Sequence, residues 1–236
     1  MNLILLNKHD FVEGSRRVHI RDNRKKHILN VTRSSVGDEL RVGLLGGDVG
    51  KGRITYISQD LVEMEVVFDQ RPPAPLSVTL VLAMVRPGVF KRVLVQVSAL
   101  GIKNIVVINS RRVEKSFWKS RVLETDSLYR YLIMGLEQGQ DTIVPKVMVR
   151  PRFKPFVEDE LPGMIKGTIP FLAHPYASKK CPYNVGGPVT LVVGPEGGFV
   201  EYEIKKLIEC GFTAVHLGAR TLTVESAISG LVSRLS

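Results

Sequence analysis

Four runs in the C-terminal part of the chain, Leu76 to Met84, Ile105 to Ile108, Ile169 to Ala173 and Val189 to Val193, are close to continuously apolar instead of alternating. A strand that is apolar on both sides has to be covered on both sides, and a parallel sheet clothed by helices does this. Helical patterns separate the runs. Val89 to Leu100 carries Val89, Val93, Val97 and Leu100 on one face with Phe90 and Leu94 beside it, and Gly101 follows as a C-terminal cap. Ser127 to Gln138 and a stretch beginning near Glu201 continue the alternation, with Lys146 to Val149 as a further strand. The pattern predicts an α/β fold with a mainly parallel sheet.

The first part of the chain has another rhythm. Short β-type runs (Leu3 to Leu6, Arg17 to Ile20, Leu40 to Leu44, Gly52 to Ile57, Leu61 to Phe68) are separated by turns and by one helical stretch, Asn23 to Thr32, with Asp22 as its N-cap. Such spacing predicts a small barrel. Gly43 to Gly52 lacks the residue order of a phosphate loop and reads as a hairpin turn. Arg71-Pro72-Pro73-Ala74-Pro75 can continue neither helix nor ladder, because its prolines fix φ and remove donors. It marks a boundary between a barrel domain, residues 1–71, and an α/β domain, residues 76–236.

No apolar run approaches the roughly 18 residues of a membrane helix, and Lys8, His9 and Asp10 interrupt any signal-peptide core. The expectation is a cytoplasmic protein without a membrane partner. Cys181 and Cys210 are the two cysteines and sit in no metal-ligand spacing, so no metal is expected. The net charge of +10 and a pI near 9.7 point to a polyanionic partner. Arg16, Arg17, Arg21, Arg24, Lys25, Lys26, His27 and Arg33 cluster against the single acid Asp22. That cluster fits either a nucleic-acid surface or a solvated helix face.

Two loops carry the candidate chemistry. Gly194-Pro195-Glu196-Gly197-Gly198-Phe199 follows the strand ending at Val193, and Leu217-Gly218-Ala219-Arg220-Thr221-Leu222-Thr223-Val224-Glu225-Ser226-Ala227 follows the strand Ala214 to Leu217. Glycines there let backbone approach a ligand, and open α/β sheets place their sites at the carboxyl ends of strands. The pair looks like two walls of one pocket. The Gly-x-Gly-x-x-Gly fingerprint is missing after every expected strand, so a dinucleotide is not expected, and no serine occupies a nucleophile elbow.

These two loops resemble the signature of the bacterial 16S rRNA uridine-N3 methyltransferase family, a SPOUT-class methyltransferase. His27-Ile28-Leu29-Asn30-Val31-Thr32-Arg33, Ala99-Leu100-Gly101-Ile102 and Glu137-Gln138 with Pro145 are similar to that family's other motifs, in the same order. The resemblance implies a PUA-like barrel that holds RNA, followed by a SPOUT α/β domain with a C-terminal trefoil knot. It also implies a homodimer, the cofactor S-adenosylmethionine, and a uridine of 16S rRNA in the 30S ribosomal subunit as substrate. Carried over by position, the cofactor residues would be Leu172, Ala173 and His174, then Val193, Gly194, Pro195, Glu196 and Gly198, then Leu217, Gly218, Leu222, Ser226 and Ala227.

Uracil N3 gives an anion delocalised onto its flanking carbonyl oxygens, and a cation beside them stabilises the developing charge. Arg220 is the candidate, with phosphate gripping or a scaffolding ion pair with Glu225 as its alternatives. Glu225 is the second catalytic candidate, able to orient Arg220, bind the cofactor's amino group or accept the N3 proton. Glu196 has the same ambiguity. On the RNA side stand Arg16, Arg17, Arg21, Arg24 and Lys25, and Arg86 in the loop after the first strand of the large domain. Phe117 and Trp118 are available for stacking or for the core. Three places depart from the family pattern, among them Ser226, which replaces the threonine of the family's last motif. Thr223 stands where the family's last motif carries a second arginine, and Gly139, Gln140 and Asp141 follow Glu137-Gln138 where an arginine is usual. The same chain therefore also fits an RNA-binding protein of this fold that acts on another RNA such as tRNA, or one without catalysis.

Overall fold

The computed structural model describes residues 2–236. It divides into two compact units: the chain up to Ala74 with Ile133–Val144, and Pro75–Leu132 with Pro145–Ser236.

The first unit holds β1 (Ile4–Leu6), β2 (Arg17–Ile20), α1 (Asn23–Asn30), β3 (Glu39–Leu44), β4 (Val49–Ile57) and β5 (Val62–Gln70). The strands form one sheet in the order β1-β3-β4-β5-β2, with β1 parallel to β3 and the remaining pairs antiparallel. Alternate residues turn inward, so Val18, Ile20, Val42, Ile54, Val62, Met64 and Val66 meet Ile28 of α1 in one apolar cluster. Asp22 caps α1 by accepting from Arg24 N at 2.9 Å. The Gly43 to Gly52 stretch is the β3–β4 hairpin, where a Cβ on Gly50 would lie 1.9 Å from Val67 O.

Ile133–Val144 belongs to this first unit although it follows the proline linker by more than 50 residues. Leu136 packs with Leu3, Leu5 and Val49, Asn2 N donates to Glu137 O at 3.1 Å, and Gly46 N donates to Thr142 O at 2.9 Å. Gln140 adopts φ +55, and Asp141 Oδ1 accepts from Thr142 N and Ile143 N at 2.7 and 2.9 Å. The residues after Glu137-Gln138 thus make the turn that ends a helix.

The second unit contains β6 (Leu76–Ala83), α2 (Pro87–Ala99), β7 (Ile102–Ile108), the start of α3 (Thr125–Gly139), β8 (Lys146–Arg150) and the short α4 (Phe153–Pro155) and α5 (Leu161–Met164) joined by a π turn. Then come β9 (Ile169–Ala173), β10 (Lys179–Lys180), β11 (Val189–Val193), α6 (Glu201–Glu209), β12 (Thr213–His216) and α7 (Val224–Leu235). All seven strands are parallel, in the order β10-β12-β9-β11-β6-β7-β8. Every residue of β11 is buried, including Thr190, whose hydroxyl is satisfied by that of Thr168 at 2.9 Å. Val81, Ala83, Val106, Ile108, Leu172 and Val192 face Phe156, Leu161, Leu207 and Phe212 on one side. On the other side, α2 packs on β7, α7 packs on β11, and the two helices pack on each other.

The segment between β9 and β11 runs along the end of α7. Cys181 N donates to His216 O at 2.8 Å and Asn184 N to Arg234 O at 2.7 Å. Arg234 donates from Nε and Nη2 to Cys181 O at 3.0 and 2.6 Å and lays its guanidinium 3.4 Å from the Tyr183 ring centroid. No helix among the described residues is long and apolar enough to cross a membrane.

Candidate functional site

Three parallel strands, β9, β11 and β12, end side by side, and the loops that leave their carboxyl ends enclose a cavity of about 320 Å³. Its walls come from Ala173 to Tyr176, Val193 to Phe199, and Val215 to Leu222 without Ala219, with Val224, Ala227 and Leu231 of α7 and the side chain of Arg112. The two glycine loops therefore share one pocket.

Each wall has a local cause. After β9, His174 N donates to Val215 O at 3.0 Å, which ties this loop to β12. After β11, Gly198 N closes a turn on Pro195 O at 2.8 Å with Gly198 at φ +70, and Glu196 Oε1 accepts from Arg86 N at 3.2 Å. A Cβ on Gly194 would approach the Phe199 ring to 3.1 Å, so the loop folds over that ring only because position 194 has none. After β12, Gly218 sits at φ +139 and its N–H donates to His216 Nδ1 at 3.0 Å. That bond makes Nδ1 the acceptor nitrogen of the His216 ring.

Chemically the walls are mixed. Val193, Leu217, Leu222, Val224 and Leu231 supply apolar surface, backbone amides and carbonyls of the loops supply polarity, and Arg112, Arg220, His174 and His216 line the cavity together with one carboxylate, Glu196. Burial holds the His174 imidazole below the usual histidine range. Arg220 is exposed and makes no hydrogen bond or ion pair among the described residues. Tyr176, with its ring edge-on to His174 at 5.9 Å, is 85% exposed at this cavity and is its free aromatic surface.

Most of the expected pocket residues line it: Ala173, His174, Val193, Gly194, Pro195, Glu196, Gly198, Leu217, Gly218, Arg220, Leu222 and Ala227. Leu172 does not, because the two-residue alternation of β9 turns it into the core, fully buried beside Val192. Ser226 instead accepts a hydroxyl contact from Thr223 at 3.0 Å. Glu225 also points elsewhere: Arg92 of α2 holds it at 2.9 Å through Nε and 2.8 Å through Nη2. The scaffolding pair between Arg220 and Glu225 is therefore not formed. Thr223 has its own local role, capping α7 by accepting from Ser226 N at 3.4 Å.

Among the basic residues of the first unit, Arg16 and Arg21 are exposed, and Arg17 lies 3.8 Å from Glu63. Lys25 Nζ donates to Gln59 O. Arg24 is the exception: its guanidinium turns inward onto Asp10 at 2.7 Å and Asp22 at 2.8 Å, 13% exposed. Burial opposes its charge, yet the two carboxylates outweigh that and hold it protonated, so Arg24 is an internal strut and not a phosphate contact. Arg86 is exposed in the second unit. Trp118 donates from Nε1 to Asn109 Oδ1 at 2.9 Å and is partly buried, which withdraws it from stacking.

Sequence reading missed Arg112, Tyr176 and His216. The signal for the histidine was its position on β12 immediately before the second loop. Arg112 and Tyr176 come from connections with no periodicity to place them. Among the described residues no cluster of His, Cys, Asp and Glu could hold a metal ion.

The RNA methyltransferase domain family matches residues 72–236. Ribosomal RNA small subunit methyltransferase E of Treponema pallidum (strain Nichols) is 28% identical over 234 residues, 96% of this chain and 87% of that protein. Ribosomal RNA small subunit methyltransferase E 1 of Borreliella burgdorferi is 25% identical over 232 residues, 96% of this chain and 94% of its own length. The fold is also that of a crystal structure of the small subunit methyltransferase E of Neisseria gonorrhoeae bound to S-adenosylmethionine, with TM-score 0.72 and 22% identity over 98% of this chain and 94% of that one. The family match takes in the whole second unit together with Ile133–Val144 of the first, and the chain belongs to the RNA methyltransferase domain family.

Proposed function

We propose that this chain is an S-adenosylmethionine-dependent methyltransferase that modifies N3 of a uridine in 16S rRNA of the small ribosomal subunit. The observation that carries the reading is the convergence of both glycine loops on one cavity that also contains an unpaired arginine. The cavity suits the cofactor by its own chemistry. Val193, Leu217 and Leu222 offer an apolar surface for an adenine ring, and the backbones at Gly194, Gly198 and Gly218 are open to its polar edge and ribose.

When bound, S-adenosylmethionine supplies an electrophilic methyl group on its sulfonium. The chain's residues place the base and manage charge. Arg220 stabilises the uridylate as N3 loses its proton, and Tyr176 offers its exposed ring to a base splayed out of the RNA stack. Glu196 is the carboxylate on the cavity wall that can accept the N3 proton. Bound S-adenosylmethionine would supply the methyl group that N3 takes up in place of that proton. We further read the first unit as a PUA-like RNA-binding barrel. The passage of the His174 to Pro188 segment around the end of α7 supports a C-terminal knot, and by family likeness the enzyme works as a cytoplasmic homodimer.

Calorimetry with S-adenosylmethionine, followed by mass spectrometry of RNA treated with enzyme and cofactor, tests this. N3-methyluridine should appear in 16S rRNA when 30S subunits are the substrate. Its absence there, or its appearance in tRNA instead, would overturn the substrate assignment.

A pH dependence follows from His174. Its pKa lies below the ordinary histidine value of 6.5, so it is neutral at pH 7 and above. As pH falls through its pKa, a positive charge appears on the wall of the cavity proposed to take the cationic cofactor. Cofactor affinity should be flat above pH 7 and drop as pH falls through that lowered pKa, and His174→Gln should flatten the titration curve.

A further inference from the structure

We propose that residues 111–121, in the connection from β7 to α3, form an RNA-phosphate interface that belongs to the methyltransferase unit and is anchored to the Gly194 loop through Arg112. The proposal deepens the enzyme reading by assigning where the RNA backbone is gripped next to the pocket. Arg111, Arg112, Lys115, Lys119 and Arg121 stand there against one acid, Glu114, and all five are exposed. None of them makes an ion pair among the described residues; only Arg112 has a side-chain partner.

Unpaired surface cations are ordinary when their segment is loose. Here the backbone beneath them is held at several points. Arg111 N donates to Glu203 Oε1 at 2.7 Å, and Glu203 is 3% exposed on α6. Trp118 bonds Asn109, Ser120 caps the turn at Val122 with its oxygen 3.3 Å from Val122 N, and Val122 itself is 2% exposed. Arg112 Nη1 donates to Gly197 O, and its stem packs where a Cβ on Gly197 would come within 3.3 Å of it. A fixed array of unneutralised cations pays little ordering entropy on meeting a polyanion, and each phosphate it neutralises releases counterions.

Phosphodiester is the chemistry this surface fits best. A lipid surface would call for exposed apolar side chains among the cations, and the apolar residues here, Phe117, Trp118 and Val122, are partly or fully buried. The barrel cluster offers fewer free cations than its sequence suggests, since Arg24 is consumed internally, Lys25 is bonded to Gln59 O and Arg17 lies near Glu63. Arg112 gives the interface a second role, because whatever orders the 111–121 segment bears on the loop that walls the pocket.

The test is the full-length triple variant Lys115→Ala, Lys119→Ala, Arg121→Ala, measured against wild type for binding to 16S rRNA over a salt series. Its affinity should fall about tenfold at physiological salt, and the slope of log K against log salt should shrink by about two, as three lost contacts to single-stranded phosphates predict. Calorimetric S-adenosylmethionine affinity should not move, and the charge-preserving variant Lys115→Arg, Lys119→Arg, Arg121→Lys should keep the slope. An undiminished slope in the alanine variant, with the wild type methylating 16S rRNA, would overturn the interface and leave the enzyme assignment standing. Loss of slope in the variant with no methyl transfer by wild type would support the interface and sink the enzyme assignment. Binding of the wild type to phosphatidylglycerol vesicles, lost in the variant while RNA binding is unchanged, would also overturn the proposal.

Discussion

Replacing Arg220 by alanine should lower the rate constant for methyl transfer by about 100-fold to 1,000-fold, the loss typical of removing one preorganised charge from a transition state. Cofactor affinity should change less than about threefold, since a group that acts on the developing uridylate has little to do with the ground state. The structure makes this an informative substitution. Arg220 has no acidic partner whose charge would be stranded, because Glu225 is held by Arg92 across the α2–α7 contact. The truncation therefore removes an interaction without creating a buried orphan. Single-turnover transfer to 16S rRNA at saturating cofactor, with calorimetry beside it, measures both quantities. Parallel losses in rate and affinity would show that Arg220 shapes the loop or holds the cofactor. Arg220→Lys should recover part of the rate, because the charge is kept while the two-pronged geometry is lost.

How much of this was legible beforehand depends on the kind of signal each residue carries. The central strands were visible because burial on two faces favours near-continuous apolar runs, and β9 and β11 fall on the expected residues. The pocket was visible because glycines at the ends of such strands have few other uses. The family resemblance carried Leu172 over to the cavity, yet strand alternation sends it to the core one residue before Ala173 lines the wall. Glu225 and Arg24 illustrate a different limit. Which cation meets which carboxylate is decided by partners far along the chain, Arg92 at a separation of 133 residues and Asp10 at 14, and no local pattern encodes that. Thr223 and Gln140, departures from the family motifs, have local explanations as a helix cap and as a left-handed turn residue. The return of Ile133–Val144 to the first unit was hidden by a helix whose periodicity continues unbroken across the division.

The second large effect concerns Gly218. Valine there should weaken S-adenosylmethionine binding by about 10-fold to 100-fold, which corresponds to the roughly 1–3 kcal/mol of strain that a side chain meets in such a backbone region. The φ of +139 is the reason, for no atom lies within 4 Å of the missing Cβ and steric crowding is not at issue. To relieve the strain the loop must rotate, breaking the bond from Gly218 N to His216 Nδ1 and displacing Leu217 from its seat over Gly230, where a Cβ would come within 2.9 Å of it. Arg220, two residues on, moves with it. Gly14→Val is the matched control, since Gly14 also has positive φ, +69, and open space around it, but lies in the first unit. That variant should carry comparable strain with cofactor affinity unchanged. If Gly218→Val kept wild-type affinity with a circular dichroism spectrum and unfolding midpoint like those of the parent, the second loop would not be a wall of the cofactor site. Weakened binding in both variants would instead assign the loss to general destabilisation, so the contrast between the two glycines carries the result.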